Sequence, residues 1–180
     1  MTPDEFLSRA VKFDLAVDGG AYAGSWTVPM SERFKRVIAF ELCTEQYQEL
    51  VLRTQTVLHC VTPLNIALGA EKRMVGYVGD KSPDSPVKCV TAGDKVRMLP
   101  LDSLELPALD FLKLDLQGYE YFALLGAKET IKKYRPLIHL EVDPPSQDTF
   151  DVRDKSQELL RGWGYAEIVK NGDEALYAPG

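Results

Sequence analysis

Asp18-Gly19-Gly20-Ala21-Tyr22-Ala23-Gly24 stands where one apolar run gives way to a helical pattern, and the next apolar run, RVIAFE, ends on Glu41. Glycines at such a turn let backbone amides approach a ligand closely. A carboxylate about 23 positions after Asp18, at the end of the second strand, is placed to accept hydrogen bonds from the two hydroxyls of a ribose. Together they predict a nucleoside cofactor. A dinucleotide site would favour G-x-G-x-x-G with a helix N-terminus free for pyrophosphate, whereas Tyr22 stands where another glycine is expected. S-adenosylmethionine has no phosphate and carries a sulfonium cation, which suits a site flanked by Asp18 and Glu41. Methyl transfer is therefore favoured over the hydride transfer of an NAD-dependent oxidoreductase. A non-catalytic nucleoside-binding module is the third reading.

A second polar set lies further on. In FLKLDLQ, alternation puts Leu112, Leu114 and Leu116 on one face and Lys113, Asp115 and Gln117 on the other. Strands covered on both faces read as continuous apolar runs, so three polar residues in register call for a pocket at the carboxyl end of the sheet. IHLEV repeats the pattern with His139, Glu141 and Asp143. Moving a methyl group from sulfonium to a hydroxyl needs in-line positioning and removal of the hydroxyl proton, for which a general base contributes typically about 10²–10⁴-fold. Asp115 is the first candidate for base or acceptor anchor, with Glu141 and His139 behind it. Lys113 and Glu141 equally suit a buried ion pair, His139 a satisfied core histidine, and Glu120 a helix start.

The elements that must position these groups follow from an alternation of short apolar runs with helical patterns, which predicts a parallel sheet covered by helices. Seven strand candidates span residues 15–17, 37–40, 57–61, 111–116, 137–142, 166–169 and 175–178. Helical patterns lie at 25–34, after Thr44 as N-cap, through Phe122, Leu125, Ile131 and Tyr134 with a break near Gly126, and around Leu159, Leu160 and Trp163. Residues 82–100, with SPDSP and TAGD, read as a loop excursion, and an inserted hairpin is expected around residues 74–78.

The chain has 180 residues, 45% hydrophobic and 27% charged, with a net charge of −6. That length reads as a single domain, able to bury roughly 70% of its unfolded surface without staples. The acidic balance argues against nucleic acid, whose binding depends on clustered Lys and Arg; Lys132, Lys133 and Arg135 suit a helix end. Cys43, Cys60 and Cys89 are odd in number, without a CxxC pair. They predict a reducing, cytoplasmic setting and no structural metal. The start, MTPDEF, does not resemble a signal peptide, and no apolar stretch approaches the ~20 residues that span a bilayer. No membrane partner is expected, and a homo-oligomer is compatible with the sequence.

VDGGAYAG, AFEL, NIALG, LPLDSL and FLKLDLQGYEYFALLGAKETIKKYRPLIHLE, in that order, resemble the successive blocks of the FkbM family of S-adenosylmethionine-dependent methyltransferases. The resemblance implies an α/β, Rossmann-like class I methyltransferase fold, a doubly wound seven-stranded and mostly parallel sheet with an antiparallel last strand. It also implies O-methylation of a small-molecule or carbohydrate acceptor. Carried over position by position, it makes Asp18, Gly20 and Gly24 the cofactor loop, with Gly19 beside them. Glu41 becomes the ribose ligand, Asn65 and Ala67 neighbours of the adenine, and Asp115 a group facing the methionyl part or the acceptor. Two residues depart from the family pattern. Tyr22 replaces a small polar residue and can cap the cofactor or narrow its entrance. Gln117 replaces the glutamate of a DVEGxE block and removes a carboxylate. With the strands placed, little chain is left for an acceptor-binding cap, so the acceptor site is expected to be open, built from residues 82–100, the amino-terminal segment or a partner subunit.

Overall fold

The computed structural model describes residues 1–79, 88–142, 152 and 154–180. Its elements are α1 (Pro3–Leu7), β1 (Leu15–Gly19), α2 (Thr27–Ser31), β2 (Arg36–Phe40), α3 (Thr44–Thr54), β3 (Val61–Leu64), β4 (Ile66–Leu68), β5 (Arg73–Gly79), β6 (Lys88–Leu99), a 3₁₀ turn (Leu101–Leu104), β7 (Phe111–Leu114), α4 (Glu120–Leu125), α5 (Lys128–Tyr134), β8 (Leu137–Glu141), α6 (Lys155–Gly162), β9 (Tyr165–Asn171) and β10 (Glu174–Pro179).

Seven strands form one sheet in the order β3-β2-β1-β7-β8-β10-β9. Neighbours from β3 to β8 pair in parallel, and β10 alone runs against both of its neighbours. The class I topology expected from the sequence is therefore present, with its antiparallel last strand. Both faces are covered because the central strands are apolar on both sides. Leu15, Val17, Leu112, Leu114, Ile138 and Leu140 pack with Leu124, Ile131 and Leu160 from α4, α5 and α6. The opposite residues, Ala16, Val37 and Phe111, pack with Phe6, Trp26, Met30 and Phe34 around α1 and α2. Pro63, which has no N–H to give, sits on the edge strand β3, where a missing donor is tolerated.

Four expectations about the elements need correction. The third strand starts at Val61 rather than 57, because Val57 to Cys60 close a turn in which Cys60 N donates to Val57 O at 3.0 Å. The fourth sheet strand ends at Leu114, so Asp115, Leu116 and Gln117 belong to the loop beyond it and not to an alternating strand. Thr44 opens α3, and the cap position is Cys43. The helix expected over 25–34 is shorter, running from Thr27 to Ser31.

The excursion is more ordered than its turn-rich composition suggests. Residues 88–99 are one long strand, β6, antiparallel to β5 and parallel to β4 in a second, three-stranded sheet, and TAGD lies inside it. The pairing slips between Val75 and Gly76, and a Cβ on Gly93 would lie 2.8 Å from the Cα of Gly76. Glycine here serves a bulge where two backbones cross closely, not a loop. The hairpin expected near residues 74–78 exists as β5 with β6. The SPDSP turn and Asp143 lie outside the described residues. Among the described residues, no helix is long and apolar enough to cross a membrane.

Candidate active site

The carboxyl ends of β1, β2 and β7 meet at one cleft. Gly20 N and Ala21 N both donate to Phe40 O, at 3.0 and 2.9 Å, which folds the glycine loop over the end of β2. Gly20 is left-handed at φ 77°, and a Cβ there would lie 1.9 Å from the carbonyl oxygen of Asp115. Only glycine fits between the ends of β1 and β7. Gly19 closes β1 against the side chain of Leu114, and Gly24 turns the loop against Leu50 of α3, so both support the loop without lining the cleft.

Glu41 is fixed by backbone alone. Its Oε2 accepts from Tyr22 N and its Oε1 from Cys43 N, both at 2.8 Å. Burial raises its pKa, against the two N–H groups that lower it. Each oxygen keeps a lone pair after these bonds. Glu41 lines the cleft with Gly20, Tyr22, Gln46, Asp115 and Gln117. The Tyr22 amide reaches it because this residue adopts a left-handed φ of 50°, rare for a bulky side chain. The ring stays 39% exposed.

Beside this polar cleft lies an apolar slot lined by Leu42, Ala67, Val90, Leu116 and Tyr119. Its walls are apolar, and it shares Gly20, Leu42 and Leu116 with the polar cleft. Ala67, expected beside the adenine, lies in this wall. Asn65 is not in the wall. Its Nδ2 donates to the carbonyls of Glu41 and Leu42 at 2.8 and 3.1 Å, and its Oδ1 accepts from Thr44 Oγ1 at 3.2 Å. It braces the chain between Glu41 and the slot.

Asp18 is also withdrawn from the cleft. It is fully buried, accepts from Thr27 Oγ1 at 2.6 Å and pairs with Lys113 Nζ at 3.1 Å. Lys113 in turn donates to Gly20 O at 2.6 Å and lies 3.6 Å from Asp115 Oδ2. Burial works against the ammonium, but Asp18 and Asp115 outweigh it and leave its pKa above the ordinary value. Lys113 thus ties β1, the glycine loop and the end of β7 together.

Asp115 opens onto the cleft. Burial pushes its carboxyl up, yet Lys113 and hydrogen bonds from Gln117 and Glu141 bring it below the usual carboxylate range. Glu141 stands behind it on β8. Burial and the charge of Asp115 push Glu141 up to about 9. Glu120 is sealed under the loop, where its Oε1 accepts from Leu116 N and Gly118 N, and burial raises it to about 7. His139 lies on the same face but among rings, 4.6 Å from Phe6 and 4.4 Å from Trp26 between centroids. Its Nε2 is 3.6 Å from Glu174, and burial, then the charge of Lys113, lower it to about 3. It does not line the cleft, so as a base it is misplaced.

Sequence reasoning missed Ser25, Gln46, Leu42, Leu116, Val90 and Tyr119, all of which line the cleft or slot. Leu42 was signalled by its place after Glu41. Val90 had no local signal, because it reaches the slot only as part of the second sheet, where it pairs with Tyr77 of β5. Among the described residues no group of three or more His, Cys, Asp or Glu is arranged to hold a metal ion.

Comparison with known proteins gives the same fold. An FkbM methyltransferase from Methylobacillus flagellatus KT is 22% identical and superposes with a TM-score of 0.66, covering 99% of this chain and 48% of that one. The chain thus spans about half the length of that relative. A SAM-dependent methyltransferase from Aquifex aeolicus is 15% identical at a TM-score of 0.56, over 98% of this chain and 88% of that one. A precorrin 8w decarboxylase from Methanobacterium thermoautotrophicum is 18% identical at 0.57, over 97% and 85%. These likenesses establish the fold. No curated protein matches the sequence. The methyltransferase FkbM domain matches residues 18–166, and with the glycine loop, Glu41 and the loop after β7 all inside that span, the chain belongs to the FkbM methyltransferase family.

Proposed function

We propose that the protein transfers a methyl group from S-adenosylmethionine to a hydroxyl of a small molecule or sugar. Membership of the family makes S-adenosylmethionine the cofactor. The observation that carries the fit is Glu41, held by two backbone amides with lone pairs left over in the cleft beside an apolar slot. Glu41 would hold the ribose hydroxyls, the slot between Leu42, Ala67 and Leu116 the adenine, and Asp115 the cationic end. Bound there, the cofactor supplies an electrophilic methyl group on sulfonium.

The chain's own groups then orient the acceptor. Asp115, charged and open to the cleft, accepts the hydrogen bond of the acceptor hydroxyl and is the first candidate to take its proton. Glu141 backs it and reaches the cleft only through Asp115 and Gln117. His139 keeps β8 packed against α1 and α2. A thermal-shift titration tests the cofactor assignment. S-adenosylhomocysteine should raise the melting temperature and NAD should leave it unchanged, because only a ligand of the folded state stabilises it. A shift with NAD alone would overturn the reading. Incubation with S-adenosylmethionine and a panel of polyols, phenols and amines, read by mass spectrometry, then tests whether the methyl group arrives on oxygen.

A further inference from the structure

Gln117 departs from the sequence pattern the chain otherwise resembles, and the fold places it between two carboxyls, Asp115 just past β7 and Glu141 at the end of β8. Its backbone is left-handed at φ 55°, a conformation that side-chain-bearing residues seldom adopt. From there Nε2 lies 2.9 Å from Asp115 Oδ1 and 3.1 Å from Glu141 Oε2. One amide nitrogen carries two hydrogens, so it serves both carboxyls at once.

We propose that Gln117 is the positioning residue of the acceptor side. By donating to both carboxyls it holds Asp115 and Glu141 as a pair sharing one proton, with Asp115 charged towards the cleft, and it fills with N–H the space where a third carboxylate would recruit a divalent cation. The role of Asp115 towards an acceptor rests on the methyl-transfer reading; the proton count and the cation exclusion do not.

Two carboxyls this close do not both ionise without a compensating cation, and they titrate as a unit. The groups facing them decide which one keeps the charge. Lys113 on β7 stands 3.6 Å from Asp115 Oδ2. Asp173 beside β10 adds negative charge around Glu141, Glu120 on α4 does so only above its own midpoint of about 7, and His139 on β8 is neutral. The proton therefore stays on Glu141. A glutamate at 117 would put a third carboxylate within the same reach, and only a second proton or an oxygen-seeking cation such as Mg²⁺ or Mn²⁺ would balance it.

Carboxyl ¹³C NMR titrations and melting curves on the full chain, for wild type, Gln117→Leu and Gln117→Glu, test this. In wild type, Asp115 should remain ionised and Glu141 protonated between about pH 5 and 8, and Mn²⁺ should not move the melting temperature relative to EDTA. Gln117→Leu removes both donors, and the midpoint of the more acidic member should rise by about one pH unit, a tenfold gain in proton affinity. Mn²⁺ should raise the melting temperature of Gln117→Glu alone. Overlapping titrations of Gln117→Leu and wild type would overturn the proposal, as would an equal Mn²⁺ response in wild type and Gln117→Glu. If neither variant folds, the wild-type titration decides, since two ordinary carboxylate midpoints contradict a shared proton. Protein that fails here but is stabilised by S-adenosylhomocysteine loses this inference alone; protein that passes but ignores S-adenosylhomocysteine loses the cofactor reading alone.

Discussion

The two halves of the cleft are built by different means. On the side of β1 and β2, backbone does the work: Phe40 O takes two loop amides, and the Tyr22 and Cys43 amides clamp Glu41. On the side of β7 and β8, side-chain charge does it: Lys113 against Asp18 and Asp115, and Gln117 between Asp115 and Glu141. A backbone-built half tolerates changes of solvent and pH but not of chain shape. A charge-built half is sensitive to every added or removed proton.

The sharpest way to break this contrast is Lys113→Met. It leaves Asp18 fully buried without its cation and should destabilise the fold by about 3–5 kcal/mol in urea unfolding. A loss below about 1 kcal/mol would show the charge network to be dispensable. Gly20→Ala attacks the other half, where its Cβ meets the Asp115 carbonyl. The expected loss is about 3 kcal/mol, together with the S-adenosylhomocysteine shift. Glu41→Ala should spare the fold and weaken S-adenosylhomocysteine by about 10- to 100-fold in calorimetry, as expected for lost hydrogen bonds to a charged group. Unchanged affinity would remove Glu41 from the ribose site.

His139 gives a pH test. Its folded-state pKa is lowered to about 3 from 6.5, so the stability it contributes is present above pH 6.5 and lost as pH falls from there towards 3. His139→Leu should shift the acid unfolding midpoint downwards while cofactor affinity stays level; an unchanged midpoint would show that the ring is not buried neutral. The smallest effect is expected from Tyr22→Gly. Relief of the left-handed backbone should stabilise the loop by about 1 kcal/mol in thermal melts; an unchanged or lower melting temperature would show that contacts of the ring outweigh the backbone cost.

How far these groups were visible in the sequence follows the same division. Asp18, Gly20 and Glu41 announce themselves, since a tight strand-to-helix turn requires small residues at fixed places and a strand end fixes the position of one carboxylate. The resemblance put Ala67 near the adenine, and the fold puts it in the wall of the apolar slot. Asp18, however, was expected at the cofactor and lies behind the loop, because the buried Lys113 claims it. Alternation put Gln117 in register with Lys113, but the strand stops at Leu114 and the loop turns at Gln117. His139 followed the right face and the wrong neighbours, since Phe6 comes from the far end of the chain. Local patterns give which face a residue takes; which charge or ring arrives from elsewhere depends on pairing and packing that no local pattern records.

The run from Val61 to Leu68 serves two sheets, β3 pairing with β2 and β4 with β6. Asn65, between them, keeps hold of Glu41 and Leu42. The cleft and the slot share a wall at Gly20, Leu42 and Leu116 and differ at Val90, which the second sheet supplies. Changes of side chain in the β5–β6 hairpin should reach the slot through Val90 while Glu41 keeps its two backbone anchors.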